Sequence, residues 1–418
     1  MPYAIVPLNQ RPLLHEEERV LEVIESKRSE LASMLQRLVR FESVNPPGNE
    51  GPISRNISER LERSGFEVQL VEVAKGRPNV VGSLRGTTGK PRLLVYGHSD
   101  VVPAGDYANW TYPPFDGKII NDEVHGRGAQ DHKFPIPPII IAADAIREVG
   151  LQLKGDLVVT IVADEETGGN FGFKWLVENR YFNDTDCMLY GGPASDGNSV
   201  IVSANGQLVT QVIVRGIGAH TGNLEKGVNA IVRAVKVISR LQNLAEEVNQ
   251  RSHPLTGKAR MSINMIQAGE KINVLPDKCI ITIDRRITPS ESFESVHAEL
   301  ESMLKDLRQE DPSLDIELVT EPSMQPVAGD PNSEIVRVLK GSGSEIMGVS
   351  EVVVTGIQGS SDFSWYVNNL GKPAAAYSIS SAEPRGHAPN EYAKIDDLVK
   401  TAKAYALTYM RYLGTEPR

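Results

Sequence analysis

Two histidines and several carboxylates in this chain stand where apolar runs end or in the loops that adjoin them. His98 closes the run Leu93-Leu94-Val95-Tyr96-Gly97, and Asp100 follows two residues on. A short apolar run closed by glycine predicts a buried strand, so His98 falls at its C-terminal end, where open α/β sheets bind ligands. Asp100 is spaced to orient an imidazole, as carboxylates behind metal-bound histidines do. Asp131 lies in Gly126-Arg127-Gly128-Ala129-Gln130-Asp131-His132-Lys133, a glycine-loosened loop ahead of a helix. Glu165 and Glu166 follow Asp164 at the end of the run Leu157 to Ala163. Three acidic residues at such a strand end are costly unless something positive sits among them. Asp196 lies beyond Met188-Leu189-Tyr190 in a Gly/Pro-rich loop, and His387 lies in another loop of that kind, Gly386 to Tyr392.

The set contains imidazole and carboxylate but no thiolate. That mixture suits Zn²⁺, Mn²⁺ or Co²⁺, whereas a closed structural zinc site would favour cysteine. Two histidines and three carboxylates are too many for one tetrahedral ion and fit two ions that share a carboxylate. Such a pair holds a water, lowers its pKa and stabilises a developing oxyanion. One carboxylate must stay off the metal to take the water's proton.

The elements that position these groups can be traced along the chain. Residues 1–14 read as an irregular arm with Pro2, Pro7 and Pro12, and 15–41 as a helix. A second helix at 56–64 and strands at 68–73 and 80–84 precede the His98 strand. Residues 101–125 read as a long loop, and loops of that length in a compact domain are usually functional. Trp110 and Phe115 in it read as packing. Prolines at 135, 137 and 138 give way to a helix over 139–149. Strands at 157–163 and 188–190 follow. From Leu208 the order changes to strand, helix, two strands, helix and strand, a βαββαβ unit of ferredoxin-like type. Strands near 352–354 and 374–378 and a helix over 395–413 then restore the first pattern. The predicted class is therefore α/β. A discontinuous catalytic domain (1–206 and 323–418) carries a mixed, mainly parallel sheet flanked by helices, and an inserted ferredoxin-like domain spans 207–322.

At 418 residues the chain is too long for one ordinary core, which agrees with two domains. A net charge of −10 and the lack of a Lys/Arg-rich run argue against a nucleic-acid partner. No stretch is long and apolar enough to span a bilayer, and no signal peptide is visible. The two cysteines, Cys187 and Cys279, each fall in an apolar run and read as buried free thiols. That suits a reducing compartment, so the expected location is cytoplasmic.

The motifs Gly97-His98-Ser99-Asp100-Val101-Val102-Pro103, Gly126 to Lys133, and Asp164-Glu165-Glu166-Thr167-Gly168-Gly169 occur in an order and spacing that resemble the two-metal amidohydrolases. That family includes acetylornithine deacetylase, succinyl-diaminopimelate desuccinylase, aminoacylase and glutamate carboxypeptidase. The resemblance runs from about residue 30 to the C-terminus. It implies that His98 ligates one metal, that Asp131 bridges both across a cis Asp131–His132 peptide, and that Glu166 and His387 hold the second. Glu165 would be the general base, with Asp100 supporting His98. In the inserted domain, His220 resembles a histidine that reaches a partner subunit's site. Asn229, Asn273 with Pro276, and Asp284 with Arg286 match positions near substrate, Arg286 being suited to read a carboxylate. The chain departs from the family at Gly192-Pro193, where Glu-Pro often supplies the remaining ligand of the first metal. Asp196 is expected to replace it. Phe134 and the prolines after it also depart from the family's small residues.

The resulting expectation is a homodimeric hydrolase with two divalent ions, zinc foremost and cobalt or manganese as alternatives. It would cleave an amide bond of a small N-acyl amino acid or short peptide. The alternatives are an aminopeptidase or dipeptidase and, from another class, a catalytically silent member that binds a ligand or serves as a scaffold.

Overall fold

Residues 93–96 are fully buried, and Arg92–His98 is a strand at the middle of a mixed sheet. The computed structural model describes residues 13–192 and 196–418. Residues 1–12, most of the arm expected over 1–14, and Pro193 to Ser195 lie outside them. Two compact units are present: residues 1–202, 329–354 and 365–418 form one, and residues 203–328 with 355–364 form the other.

In the first unit the sheet runs in the order Glu67–Ala74, Arg77–Leu84, Asp156–Val162, Arg92–His98, Cys187–Tyr190, Ala374–Ala376, Ser199–Ala204. Its middle is parallel: Asp156–Val162, Arg92–His98, Cys187–Tyr190 and Ala374–Ala376 all point the same way. A parallel strand with both faces covered reads as a continuous apolar run, and all seven residues of Asp156–Val162 are buried. The helix Ile395–Leu413 packs on Ile136–Glu148 and Glu334–Met347. The α/β class expected from the sequence is found.

Three local features differ from the sequence reading. The expected single helix over 15–41 is two, His15–Ser26 and Arg28–Val39, hinged at Lys27. Their apolar spacing continues across the break, so periodicity does not reveal it. The helix expected from Ile139 begins at Ile136, with Pro137 and Pro138 in its first turn. The first-turn N–H groups of a helix have no intrahelical partner, so proline loses nothing there. The loop over 101–125 contains the hairpin Lys118–Ile120 and Glu123–His125, which the strand Tyr392–Lys394 extends.

The second unit is a four-stranded antiparallel sheet ordered Arg260–Ala268, Lys278–Ile287, Gly206–Arg215, Asp315–Met324. The helices Ala230–Val248 and Phe293–Glu310 complete a βαββαβ sequence. Val237, Leu241, Leu300 and Leu304 from the helices and Val212, Ile281 and Ile283 from the strands share one buried core. Cys187 and Cys279 are free and buried.

Candidate metal centre

The parallel register determines where the chemistry gathers. His98 lies opposite Val162, and Tyr96 opposite Tyr190, so three strands end side by side. Beyond Val162 the chain turns sharply. Asp164 has φ +70°, in the left-handed region, and the short helical turn Glu165–Thr167 follows. Asp100 holds that turn against His98. Its carboxylate accepts the backbone N–H of Glu165 at 3.2 Å and of Glu166 at 3.1 Å, and lies 3.3 Å from His98 Nδ1. Asn45 Nδ2 also donates to Asp100, at 2.8 Å. Asp100 is fully buried, yet these partners keep its pKa below the ordinary carboxylate value against the effect of burial.

Asp131 stands between the two histidines. Oδ1 is 3.4 Å from His98 Nε2, and Oδ2 is 3.2 Å from His387 Nε2. His387 Nε2 is also 3.2 Å from Glu166 Oε2, and Glu165 Oε2 is 3.7 Å from His98 Nε2. Donor atoms of His98, Asp131 and Glu166 lie within 4.8 Å of one another, a spacing that admits a metal ion. The Asp131–His132 peptide is cis.

The electrostatics of this cluster fit a cation. Burial favours the protonated form of Glu166 and raises its pKa, with His387 opposing. Hydrogen bonds to Asp131 and Glu166 push His387 up to about 10. Burial opposes charge on His98, but Glu165, Asp100 and Asp131 raise its pKa well above the ordinary value. Glu166 Oε1 is buried with no hydrogen-bond partner among the described residues. Negative charge concentrated beside imidazole nitrogens, with an unsatisfied carboxylate oxygen, is a donor set for divalent metal.

Two residues that the sequence reading did not single out shape the centre. Glu391, four positions after His387, is fully buried. Its carboxylate accepts the N–H groups of Gly128 (3.0 Å), Gln130 (2.7 Å) and Asp131 (2.9 Å), and Arg127 Nη1 at 2.6 Å. It therefore fastens the Asp131 loop to the His387 loop. Arg127, also buried, lies over the Trp110 ring with its guanidinium carbon 5.3 Å from the centroid, so Trp110 serves as packing. The sequence signal for this pair was an arginine between two glycines, Gly126 and Gly128. The other residue is His132, whose ring stacks on that of His98 with centroids 4.6 Å apart and planes 6° from parallel. Burial, then the neighbouring His98, pushes His132 down to about 3, so it is neutral. Lys133, expected to pair with a carboxylate or cap a loop, is buried and donates to the Phe41 carbonyl at 2.7 Å.

The remaining sequence candidates sit in other surroundings. Asp196 is exposed, and its Oδ1 accepts the Asn198 N–H at 3.0 Å, a local turn. It is absent from the donor cluster. In the second unit, the exposed His220 accepts the Gly222 N–H at Nδ1, 3.0 Å. Asn273 is exposed. Arg286 Nε donates to Asp284 Oδ1 at 2.9 Å, and Gln207 Nε2 donates to Asp284 Oδ2 at 2.7 Å. Asn229 caps the helix Ala230–Val248 through the Ile231 and Val232 N–H groups.

Strand ends that deliver His98 and the Glu165–Glu166 turn, with loops that bring Asp131 and His387 beside them, form a candidate metal centre on an α/β scaffold. Residues 94–411 match the profile of Peptidase family M20/M25/M40, and the chain belongs to that family. It is 28% identical over 312 residues to N-formyl-4-amino-5-aminomethyl-2-methylpyrimidine deformylase of Halalkalibacterium halodurans, covering 71% of each chain. It is 23% identical over 409 residues to a probable succinyl-diaminopimelate desuccinylase of Staphylococcus aureus, covering 92% of this chain and 98% of that protein. Among solved structures, the fold is shared with the Bacillus subtilis YXEP protein, described as a dinuclear metal-binding peptidase. The TM-score is 0.71 at 18% identity, with 93% of this chain and 99% of that chain covered. The expectation of a metallohydrolase is borne out at the level of the family.

Proposed function

We propose that the protein hydrolyses the amide bond of a small N-acyl amino acid or short peptide, with Glu165 as general base. The observation that carries this reading is the division of labour between adjacent carboxylates. Glu166 Oε2 contacts His387, whereas Glu165 Oε2 lies 3.7 Å from His98 Nε2, beside the donors rather than among them. Two divalent ions held by His98, Asp131, Glu166 and His387 would supply Lewis acidity and lower the pKa of a water. Zinc is the first choice for this donor set. Glu165 takes the attacking water's proton and hands it to the leaving amine. Asp100 keeps His98 and the Glu165–Glu166 turn in register throughout. His220 donates to the developing oxyanion from a second subunit, and Arg286 with Asn273 reads the substrate carboxylate.

A homodimer through the second unit is supported by apolar side chains open to solvent. Val232 and Val235 are 65% and 61% exposed, and Met265 and Ile266 on the edge strand Arg260–Ala268 are 53% and 54% exposed. Unpaired edge strands and apolar patches are recurrent association surfaces. Among the described residues no helix is long and apolar enough to cross a membrane. The buried free thiols support a reducing, cytoplasmic setting.

The printed activities of the two sequence relatives, removal of a formyl and of a succinyl group, favour a deacylase over a dipeptidase. The test is hydrolysis of formyl, acetyl and succinyl amino acids compared with dipeptides bearing a free amine. Turnover of N-acyl amino acids is expected. Cleavage of dipeptides alone would reassign the enzyme as a peptidase.

A further inference from the structure

The short turn Glu165–Thr167, which presents the proposed base, has little of its own to hold it. It opens at Asp164, with φ +70°, and is followed by Gly168 and Gly169, with φ +100° and +71°. Left-handed backbone is uncommon outside glycine and persists where the surrounding structure holds it. The surroundings here are side chains from elsewhere in the chain, and Asn45 is the one that reaches both ends of the turn and the carboxylate beneath its middle.

Asn45 is buried, and its Nδ2 lies 2.8 Å from Asp100 Oδ2, 3.2 Å from Asp164 Oδ1 and 3.0 Å from Thr167 Oγ1. Asp164 begins the turn, Thr167 ends it, and Asp100 accepts the Glu165 and Glu166 N–H groups between them. An amide nitrogen carries two hydrogens and no charge. One goes to Asp100, and the other is shared by Asp164 and Thr167. Thr167 Oγ1 gives its own hydrogen to Asp164 Oδ1. The amide therefore bridges two buried carboxylates. Asp164 is held from another side as well. Arg77 Nη2 is 3.1 Å from its Oδ1, and Glu50 fixes that guanidinium through Nε at 2.8 Å and Nη2 at 2.6 Å. The Asn45 backbone is fastened to the segment that leaves His98. Its N–H donates to the Val101 carbonyl at 2.9 Å, and the Val101 N–H donates to the Ser43 carbonyl at 3.0 Å. Ser43 Oγ donates to the Ser99 carbonyl at 2.6 Å.

We propose that Asn45 is a positioning residue for the general base. It fixes the segment that leaves His98 against the turn that carries Glu165, so that Glu165 Oε2 stays 3.7 Å from His98 Nε2. Asn45 takes no proton itself and acts through Asp100, Asp164 and Thr167. Without its amide the two carboxylates lose their shared donor, and the turn relaxes about the glycines that follow it. Proton transfer depends steeply on where the base stands, and a misplacement of about 1 Å can cost about 10²-fold. This inference rests on reading Glu165 as the general base.

The test is hydrolysis, in excess zinc, of whichever N-acyl amino acid or dipeptide the wild type turns over fastest, with bound zinc counted by native mass spectrometry. Asn45→Ala should lower kcat about 10- to 100-fold with KM and bound zinc unchanged. Asn45→Ser, which keeps a short donor, should fall between that variant and the wild type, and it serves if the alanine variant does not fold. In the Glu165→Gln background, Asn45→Ala should cost less than about twofold, because residues that act as a unit are not additive. A change that only loosens the fold costs as much in either background. Hydrogen exchange supplies a readout that needs no substrate: the Glu165 and Glu166 amides should exchange faster in Asn45→Ala, and those of the strand Asp156–Val162 should not. Additive losses, a raised KM at unchanged kcat, a loss of bound zinc, or turn amides that exchange at the wild-type rate each overturn the inference and leave Glu165 as the base. Near-normal turnover by zinc-loaded Glu165→Gln overturns the reading of the base and the inference together.

Discussion

Arg127 Nη1 and the Glu391 carboxylate meet at 2.6 Å with neither side chain reaching solvent, and the pair joins the two loops that carry Asp131 and His387. A charge left alone in such a place is expensive, and removing one partner of a buried pair costs about 3–5 kcal/mol. Glu391→Gln keeps one acceptor oxygen, enough for the Gln130 and Asp131 N–H groups, but turns an amide NH2 toward the Gly128 N–H and leaves the guanidinium uncompensated. It should lower unfolding free energy in urea by that amount and reduce bound zinc. A loss below about 1 kcal/mol, the level of an exposed pair, would show that the pair is not structural.

Glu165→Gln should cut turnover by about 10²–10⁴-fold, the usual contribution of a general base. Metal content and the melting curve should stay at wild-type levels, because the side chain lies beside the donors. A zinc-loaded variant with near-normal turnover would falsify the assignment.

Clustered carboxylates repel one another in the folded protein, so a bound cation should stabilise it. Zinc at a hundredfold excess over its Kd adds about 2.7 kcal/mol. The melting temperature should therefore rise by a few degrees with zinc and fall back with a chelator. An unchanged melting temperature across that titration removes the case for a metal centre.

His220 is exposed, with Nδ1 engaged by Gly222. If it serves the partner's site, mixing inactive Glu165→Gln chains with inactive His220→Ala chains should restore activity. Subunit exchange without recovery, or an active monomer by light scattering, would rule that role out.

Much of the candidate cluster is legible in the sequence because its signals are local. His98, Glu165 and Glu166 follow apolar runs, and a buried, mostly β-branched run such as Leu157 to Val162 reads as a strand without its neighbours. The βαββαβ order was legible for the same reason. What escaped depended on residues distant in sequence. Nothing near Asn45 announces Asp164, and nothing near Glu391 announces the three N–H groups it accepts. Asp196 shows the limit of local signals. Its loop follows the correct strand, but the carboxylate satisfies a neighbouring N–H two residues on. The hairpin within 101–125 escaped because its strands have three residues each and are paired by Tyr392–Lys394, far along the chain. The strand Ser199–Ala204, with Val200, Ile201 and Val202 in a row, carries the same local pattern as the other buried strands.

The first unit is drawn from three stretches of chain, and its last histidine, His387, belongs to the final one. During synthesis the second unit's whole βαββαβ run leaves the ribosome while the metal centre still lacks His387 and the Glu391 anchor. If the proposed centre includes His387, a nascent chain would complete it only once the loop that carries His387 and Glu391 has been made. On that reading metal would enter late in synthesis, and a product that stops before His387 is expected to be a metal-poor fragment rather than a weak enzyme.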